Sequence, residues 1–179
     1  MSLVVNFDEI LDDEEYVFDL VEKPDYFKVD PEEGVLKKDV HVQGSLSKVG
    51  REVLLKGNIS TEMEMICSRC LEPLIYKVRS NVSSRYVTEQ DADSLDSDVE
   101  LHASDIEVEY YSGEQIDLTQ AVYDQMMLSL PLARLCRKDC QGICPQCGIN
   151  RNKENCQCLD DDSIDPRLDV LRTLKDNLK

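Results

Sequence analysis

The strongest constraint on this chain is an alternation of apolar and polar residues that recurs in two neighbouring stretches. From Val53 to Met65 the odd positions read Val, Leu, Gly, Ile, Thr, Met, Met, and the even positions from Lys56 to Glu64 are polar. From Leu74 to Tyr86 the even positions read Leu, Tyr, Val, Ser, Val, Ser, Tyr, and their odd neighbours include Lys77, Arg79, Asn81 and Arg85. A side-chain period of two belongs to a strand with one buried face. Two such strands with only a short connection between them form an antiparallel hairpin, with Cys67-Ser68-Arg69-Cys70 at its tip. Pairing Met65 with Tyr76, Met63 with Val78 and Ile59 with Val82 sets Glu64 opposite Lys77 and Glu62 opposite Arg79. Each such charge pair contributes roughly 0.2–1 kcal/mol. Gly57 is expected to mark a bulge or bend in so long a strand.

Weaker signals frame the hairpin. Residues 7–15 read as a short helix or an acidic arm, and residues 16–37 as short extended pieces. Val40, Val42, Leu46 and Val49 read as a strand that ends in a turn at Gly50-Arg51, and Ile106, Val108 and Tyr110 as another that ends at Ser112-Gly113. Asp117 with Gln120 fits a capping box. Leu118, Ala121, Val122, Met126 and Leu130 then form one apolar helical stripe that Pro131 terminates. Asp165-Pro166 opens a second helix with Leu168, Leu171, Leu174 and Leu178 on its apolar face. Trp is absent and there are only 3 Phe, so the core must come from Leu, Val, Ile, Met and Tyr.

The result is an α+β chain. Residues 1–130 form an antiparallel β-rich domain with the long hairpin, an acidic loop at 88–105 and a helix at about 117–130. Residues 131–160 form a cysteine-rich zinc module, and residues 161–179 carry the second helix, at about 166–178.

Eight cysteines mark the chemistry. Six of them, Cys136, Cys140, Cys144, Cys147, Cys156 and Cys158, fall close together around the knuckle Cys144-Pro145-Gln146-Cys147-Gly148. Two thiolates separated by two residues grip one ion through a tight turn, and four thiolates complete a tetrahedral structural zinc site. Cys144 and Cys147 are the firmest ligands. Cys156 and Cys158 can close the site, and Cys140 can replace one of them. Cys67 and Cys70 either join Cys136 and Cys140 in a second site or stay a free dithiol able to act as a redox sensor. Their strand context differs from the helix N-terminus that activates thioredoxin-like thiols. His41 and His102 sit at no ligand spacing and read as surface residues.

The charge of −17 excludes a nonspecific nucleic-acid binder. Its distribution is uneven. Residues 1–40 carry 13 acids and 4 bases, and residues 88–130 carry 12 acids and no base. Residues 41–87 carry 4 acids and 7 bases, and residues 131–158 carry 2 acids and 5 bases. All the cysteines lie in these two positive segments. Lys56, Arg69, Lys77, Arg79 and Arg85 on the hairpin, with Arg134, Arg137, Lys138, Arg151 and Lys153 near the cysteines, are candidate contacts to RNA or to a protein partner. The latter group also offsets the formal −2 of a four-thiolate zinc centre. No GxGxxG, P-loop, HExxH or GxSxG pattern is present. No catalytic residue and no small-molecule substrate are expected. The longest apolar stretch, Met126 to Ala133, is far below the roughly 20 residues of a membrane span. No membrane contact is expected, and a cytoplasmic location follows.

These motifs, taken in order, resemble the YceD-like family, named for large ribosomal RNA subunit accumulation. The resemblance rests on Cys67-x-Arg69-Cys70-Leu71-Glu72-Pro73 and Ile116-Asp117-Leu118. It continues through Leu130-Pro131, Asp139-Cys140-x-Gly142-x-Cys144-Pro145-x-Cys147-Gly148-x-Asn150, Cys156-x-Cys158 and Asp165-Pro166-Arg167-Leu168. It implies a noncatalytic role in 23S ribosomal RNA accumulation and large-subunit biogenesis. The implied partner is a large-subunit precursor, met through ribosomal RNA, a ribosomal protein or both. A zinc-bearing protein-interaction adaptor and a Cys67/Cys70 redox sensor are the alternatives.

Overall fold

The computed structural model describes residues 3–12, 14–88 and 107–158. Its strands are β1 (Val4–Asn6), β2 (Glu15–Glu22), β3 (Val35–Leu36), β4 (Val40–Val49), β5 (Glu52–Ile66), β6 (Pro73–Thr88), β7 (Glu107–Tyr111) and β8 (Gln115–Asp117). The α-helix found among the described residues, α1, spans Thr119–Leu128. The main sheet runs β2-β4-β5-β6-β7, with β3 beside β5 past the end of β4. β1 and β8 pair in a separate ribbon. Short 3-10 turns occupy Phe7–Glu9 and Pro24–Tyr26. The first lies where an acidic helix or arm was expected.

The hairpin is β5 and β6, and its alternation holds throughout. Val53, Leu55, Ile59, Met63, Met65, Val78, Val82 and Tyr86 are all buried. They meet Val40, Val42 and Leu46 of β4 in one core, which the ribbon and α1 complete with Val5, Ile116, Val122 and Met126. Burying one such side chain contributes about 1.5–3 kcal/mol. Gln125 of α1 donates from Nε2 to Ser80 Oγ at 2.9 Å, which ties the helix to an inward-facing hydroxyl of β6. Phe7 stacks on Tyr111 at 5.6 Å and fixes the ribbon against β7.

The register departs from the expected one by two residues. Met63 faces Tyr76, Met65 faces Leu74 and Glu62 faces Lys77. The parity of the faces survives, but neither expected charge pair does: Arg79 faces Ser60, Glu64 faces Ile75, and Glu62 opposite Lys77 is the one charge pair of the new register. The tip sets the register: Cys67 N–H donates to Glu72 O at 2.9 Å, and Leu71 N–H to Cys67 O at the same distance. This closed turn outweighs a single surface charge pair.

Gly57 is no bulge. The ladder from β4 to β5 is continuous through Gly44 opposite Gly57. A Cβ on Gly44 would lie 2.3 Å from Lys56 O, and one on Gly57 would lie 2.7 Å from Gln43 O. The two glycines therefore allow the strands to approach closely at this point.

β7 pairs with β6 in parallel, so the sheet is not wholly antiparallel. A parallel pair needs a return connection of a dozen or more residues, and residues 89–106 separate these strands. The expected acidic loop falls on that stretch and lies outside the described residues, as do His102 and the helix expected at 166–178.

The observed helix is shorter than the expected 117–130, and its capping box does not form. Asp117 Oδ1 accepts from Thr119 N–H at 2.8 Å, but Gln120 turns forward to Asp124. The apolar stripe does enter the core, with Leu118, Ala121, Val122 and Met126 buried. No helix among the described residues is long and apolar enough to cross a membrane.

Candidate metal centres

The eight thiols gather into two groups of four. Cys67, Cys70, Cys136 and Cys140 form the first; Cys144, Cys147, Cys156 and Cys158 form the second. Within each group the sulfurs lie within 4.8 Å of one another. The hairpin tip supplies Cys67 and Cys70, and the segment beyond the helix exit brings Cys136 and Cys140 against it. Ser68 N–H donates to Arg134 O at 2.8 Å and its hydroxyl to the same oxygen at 2.9 Å, which docks that segment on the tip.

The spacing of the sulfurs fits one ion in each group. Cys67 Sγ lies 3.9 Å from Cys140 Sγ, and Cys70 Sγ lies 3.6 Å from Cys136 Sγ. Zn–S bonds of about 2.3 Å in a tetrahedron place sulfurs about 3.8 Å apart, whereas a disulfide would hold them near 2.05 Å. All eight thiols are free. Each group could hold a soft metal ion.

The two Cys-x-x-Cys turns share one backbone hydrogen-bond pattern built from different residues. In the first, Leu71 N–H donates to Cys67 O and Cys67 N–H to Glu72 O, each at 2.9 Å. In the second, Gly148 N–H donates to Cys144 O at 2.9 Å and Cys144 N–H to Ile149 O at 2.8 Å. The residue after the second cysteine has a positive φ in both: 58° at Leu71 and 74° at Gly148. Glycine adopts this conformation freely and leucine does not. The leucine hides the equivalence in the sequence.

The turns also aim backbone donors at sulfur. Burial pushes the Cys67 thiol up, but N–H groups of Cys70, Cys136 and Arg69 outweigh it and bring it to about 6. N–H groups of Cys147 and Gln146 hold the Cys144 thiol down to about 6. Hydrogen bonding to Cys147, together with burial, pushes Cys158 up to about 12. Crowded thiolates raise one another's pKa, and a divalent cation offsets that repulsion.

The two groups are joined by more than the chain between them. Ile143 N–H donates to Arg69 O at 3.0 Å, and Arg69 Nη1 donates to Cys140 O at 3.0 Å. Asn152, from the loop of the second group, donates from Nδ2 to Cys140 Sγ of the first at 3.3 Å. Its Oδ1 accepts from Gln141 N–H at 2.9 Å and from Arg137 at 2.7 Å. Sequence reasoning missed Asn152, which bridges the two groups; an amide four residues before Cys156 was its only signal.

The candidate basic contacts divide into two sets. Around the cysteines they are engaged internally. Arg134 binds Glu32 O and the Glu33 carboxylate, and Lys153 pairs with Glu72. Arg137 reaches Asn152 and Asp139, and Arg151 lies 3.8 Å from Cys144 Sγ. Arg69 is held on Cys140 O, and Lys138 is exposed. On the hairpin, Lys56, Lys77, Arg79 and Arg85 share the outward face of β5 and β6. Arg85 lies 3.8 Å from Glu52, while Lys56 and Arg79 have no ion pair among the described residues.

The architecture is a sheet whose longest hairpin ends in a cysteine turn that completes, with the segment beyond the helix, a four-cysteine group able to hold a metal ion. The family model described as "Large ribosomal RNA subunit accumulation protein YceD" matches residues 55–175, and the chain belongs to this family. It is 32% identical over 104 residues to an uncharacterised protein of Mycobacterium tuberculosis, covering 58% of this chain and 47% of that one. A Mycobacterium leprae relative is 26% identical over 105 residues, 59% of this chain and 46% of that one. The chain is also 33% identical over 45 residues to an Arabidopsis thaliana protein named large ribosomal RNA subunit accumulation protein YCED homolog 1, chloroplastic. That match covers 25% of this chain and 14% of the plant protein. The chain thus spans less than half the length of these relatives. No solved structure matches it.

Proposed function

We infer that this protein is a noncatalytic factor supporting 23S ribosomal RNA accumulation and large-subunit biogenesis, with one structural zinc ion in each four-cysteine group. The observation that carries this reading is that the family match, residues 55–175, takes in both cysteine groups and all but the first three residues of the hairpin. Zinc is the metal of choice because four thiolates in a tetrahedral set, with no open position, suit a structural rather than a catalytic ion. On this reading residues 131–160 act as a zinc module that clasps the tip of the β-rich segment 1–130, and residues 161–179 follow it as a separate segment. The partner is a large-subunit precursor in the cytoplasm, reached through Lys56, Lys77, Arg79 and Arg85 on ribosomal RNA.

Depletion of the protein in its own cell, followed by gradient profiling and RNA quantification, tests the reading. The ratio of 23S to 16S RNA is expected to fall, and crosslinking is expected to recover the protein on large-subunit precursors. An unchanged ratio overturns it. Crosslinks confined to proteins favour an adaptor, and reactive Cys67 and Cys70 in the metal-loaded protein favour a dithiol sensor.

A further inference from the structure

The outward face of β4, β5 and β6 carries an ordered polar pattern that neither the core nor the metal centres use. Three successive cross-strand rows read His41-Ser60-Arg79, Gln43-Asn58-Asn81 and Ser45-Lys56-Ser83. The central row is made entirely of carboxamides. The flanking rows pair hydroxyls with one base each. The next row on one side adds Arg85, and the next on the other adds Lys77 opposite Glu62, whose carboxylate binds Lys38 at 2.9 Å. Within β4, β5 and β6 none of the three rows contains a carboxylate, although 37 of the 179 residues of the chain are acidic; on the edge strand β2, Asp19 stands opposite Gln43 and accepts from its Nε2 at 2.8 Å. An open depression of about 760 Å³ lies on this face, lined by Lys56, Asn58, Asn81 and Ser83 and, along its β2 side, by Glu15 and Asp19.

We propose that this face docks the minor groove of a double-stranded, A-form RNA segment, which names the kind of RNA met under the function proposed above and rests on that reading. Charge complementarity sets the sign of the partner. Bases stand at both ends of the face, with Arg79 and Arg85 about 20 Å apart at roughly 3.4 Å per residue. Between them stand Asn81 and Ser83 on β6, with Asn58 and the further base Lys56 beside them on β5. Duplex RNA offers a matching order: phosphates on two ridges and a wide, shallow groove lined with 2′-hydroxyls between them. Carboxamides and hydroxyls can each donate to and accept from a 2′-hydroxyl.

Single-stranded RNA is a poorer match because its recognition depends on bases stacking on aromatic rings. The chain has 3 Phe, 7 Tyr and no Trp, and none of them lies in these rows. Phe18, Phe27, Tyr86 and Tyr111 are buried in the core. His41, in the flanking row, is the one ring on this part of the sheet. The strongly negative remainder of the chain repels RNA that does not seat on the face, so binding depends on a close fit rather than on a diffuse field.

The test uses the full chain loaded with zinc and a labelled RNA duplex of arbitrary sequence. The same-sequence DNA duplex and one RNA strand alone serve as competitors at fixed salt. The RNA duplex is expected to bind tightest. The double variant Asn58→Ala, Asn81→Ala is expected to weaken RNA-duplex binding on the order of tenfold, the value of one or two lost hydrogen bonds, and to leave weak DNA binding unchanged. Lys56→Ala with Arg79→Ala is expected to weaken both duplexes and reduce the salt slope by about one per side chain. All four residues are exposed, so zinc content and circular dichroism of the variants should match the parent. Equal or tighter binding of the single strand, equal binding of the DNA duplex, or an unaffected carboxamide variant overturns the proposal. Complementation keeps the two proposals apart. If depletion lowers 23S RNA and the carboxamide variant restores it fully, the docking face is wrong and the function stands. If depletion leaves 23S RNA unchanged, the function fails whatever the duplex assay shows.

Discussion

Asn152 and Leu71 each carry a consequence out of proportion to their size. Asn152 donates to a sulfur of one centre from the loop of the other. Such outer hydrogen bonds orient ligands and are typically worth 10–100-fold in metal affinity. Asn152→Ala is expected to weaken metal retention at the Cys67/Cys70/Cys136/Cys140 centre by roughly that factor. Competition against a graded chelator measures it, and retention equal to the parent's at both centres contradicts the role. Leu71 holds φ 58° with its side chain 61% exposed, so it bears left-handed strain of about 1–2 kcal/mol with little burial to offset it. Leu71→Gly removes that strain at an entropic cost of about 0.5–1 kcal/mol. The expected net is a gain of about 0.5–1 kcal/mol in denaturant unfolding of the metal-loaded protein; a loss sinks the assignment of strain. Gly148→Ala is expected to lose about 1–2 kcal/mol, since its φ of 74° is unfavourable for alanine although no atom lies within 4 Å of the added Cβ.

The β5/β6 hairpin is the element on which the rest is built, and most of it was legible before any coordinates. Its alternation is strict because one face is core and the other solvent, so parity could be read from single residues such as Ile59 and Val82. Register could not. It is fixed by the Cys67–Glu72 turn, whose geometry depends on a leucine in a glycine conformation. The parallel placement of β7 was also hidden, because Val108 and Tyr110 alternate alike whichever way the strand runs. The Gly44–Gly57 contact was misread as a bulge because sequence shows a missing side chain but not the strand that fills its place. Gly44→Ala tests that contact. Its Cβ would meet backbone at 2.3 and 2.7 Å, which forces β4 from β5. The expected loss is about 3 kcal/mol or more by chemical denaturation, and a loss under about 0.5 kcal/mol, the range of ordinary surface substitutions, contradicts the close approach.

At the scale of the whole molecule, a sheet with its own core carries a cysteine-rich segment that has almost no apolar core of its own. Residues 131–158 contain no helix or named strand, and their buried residues are Cys140, Gly142 and Cys144. The core cluster draws instead on residues 3–126. Chelation is therefore expected to expose residues 131–158 to protease while the β-sheet circular dichroism signal persists; loss of both together would contradict an independently stable sheet. The sequence already placed the cysteines and allowed two centres or one. It left the division of ligands open because Cys136 and Cys140 reach a partner pair some 70 residues away, a pairing that only the fold decides.

Native mass spectrometry of the intact chain, with thiol titration of the same sample, tests the central claim most directly. Two zinc ions per chain and no reactive thiol are predicted. A single zinc ion with Cys67, Cys70, Cys136 and Cys140 all reactive would contradict it.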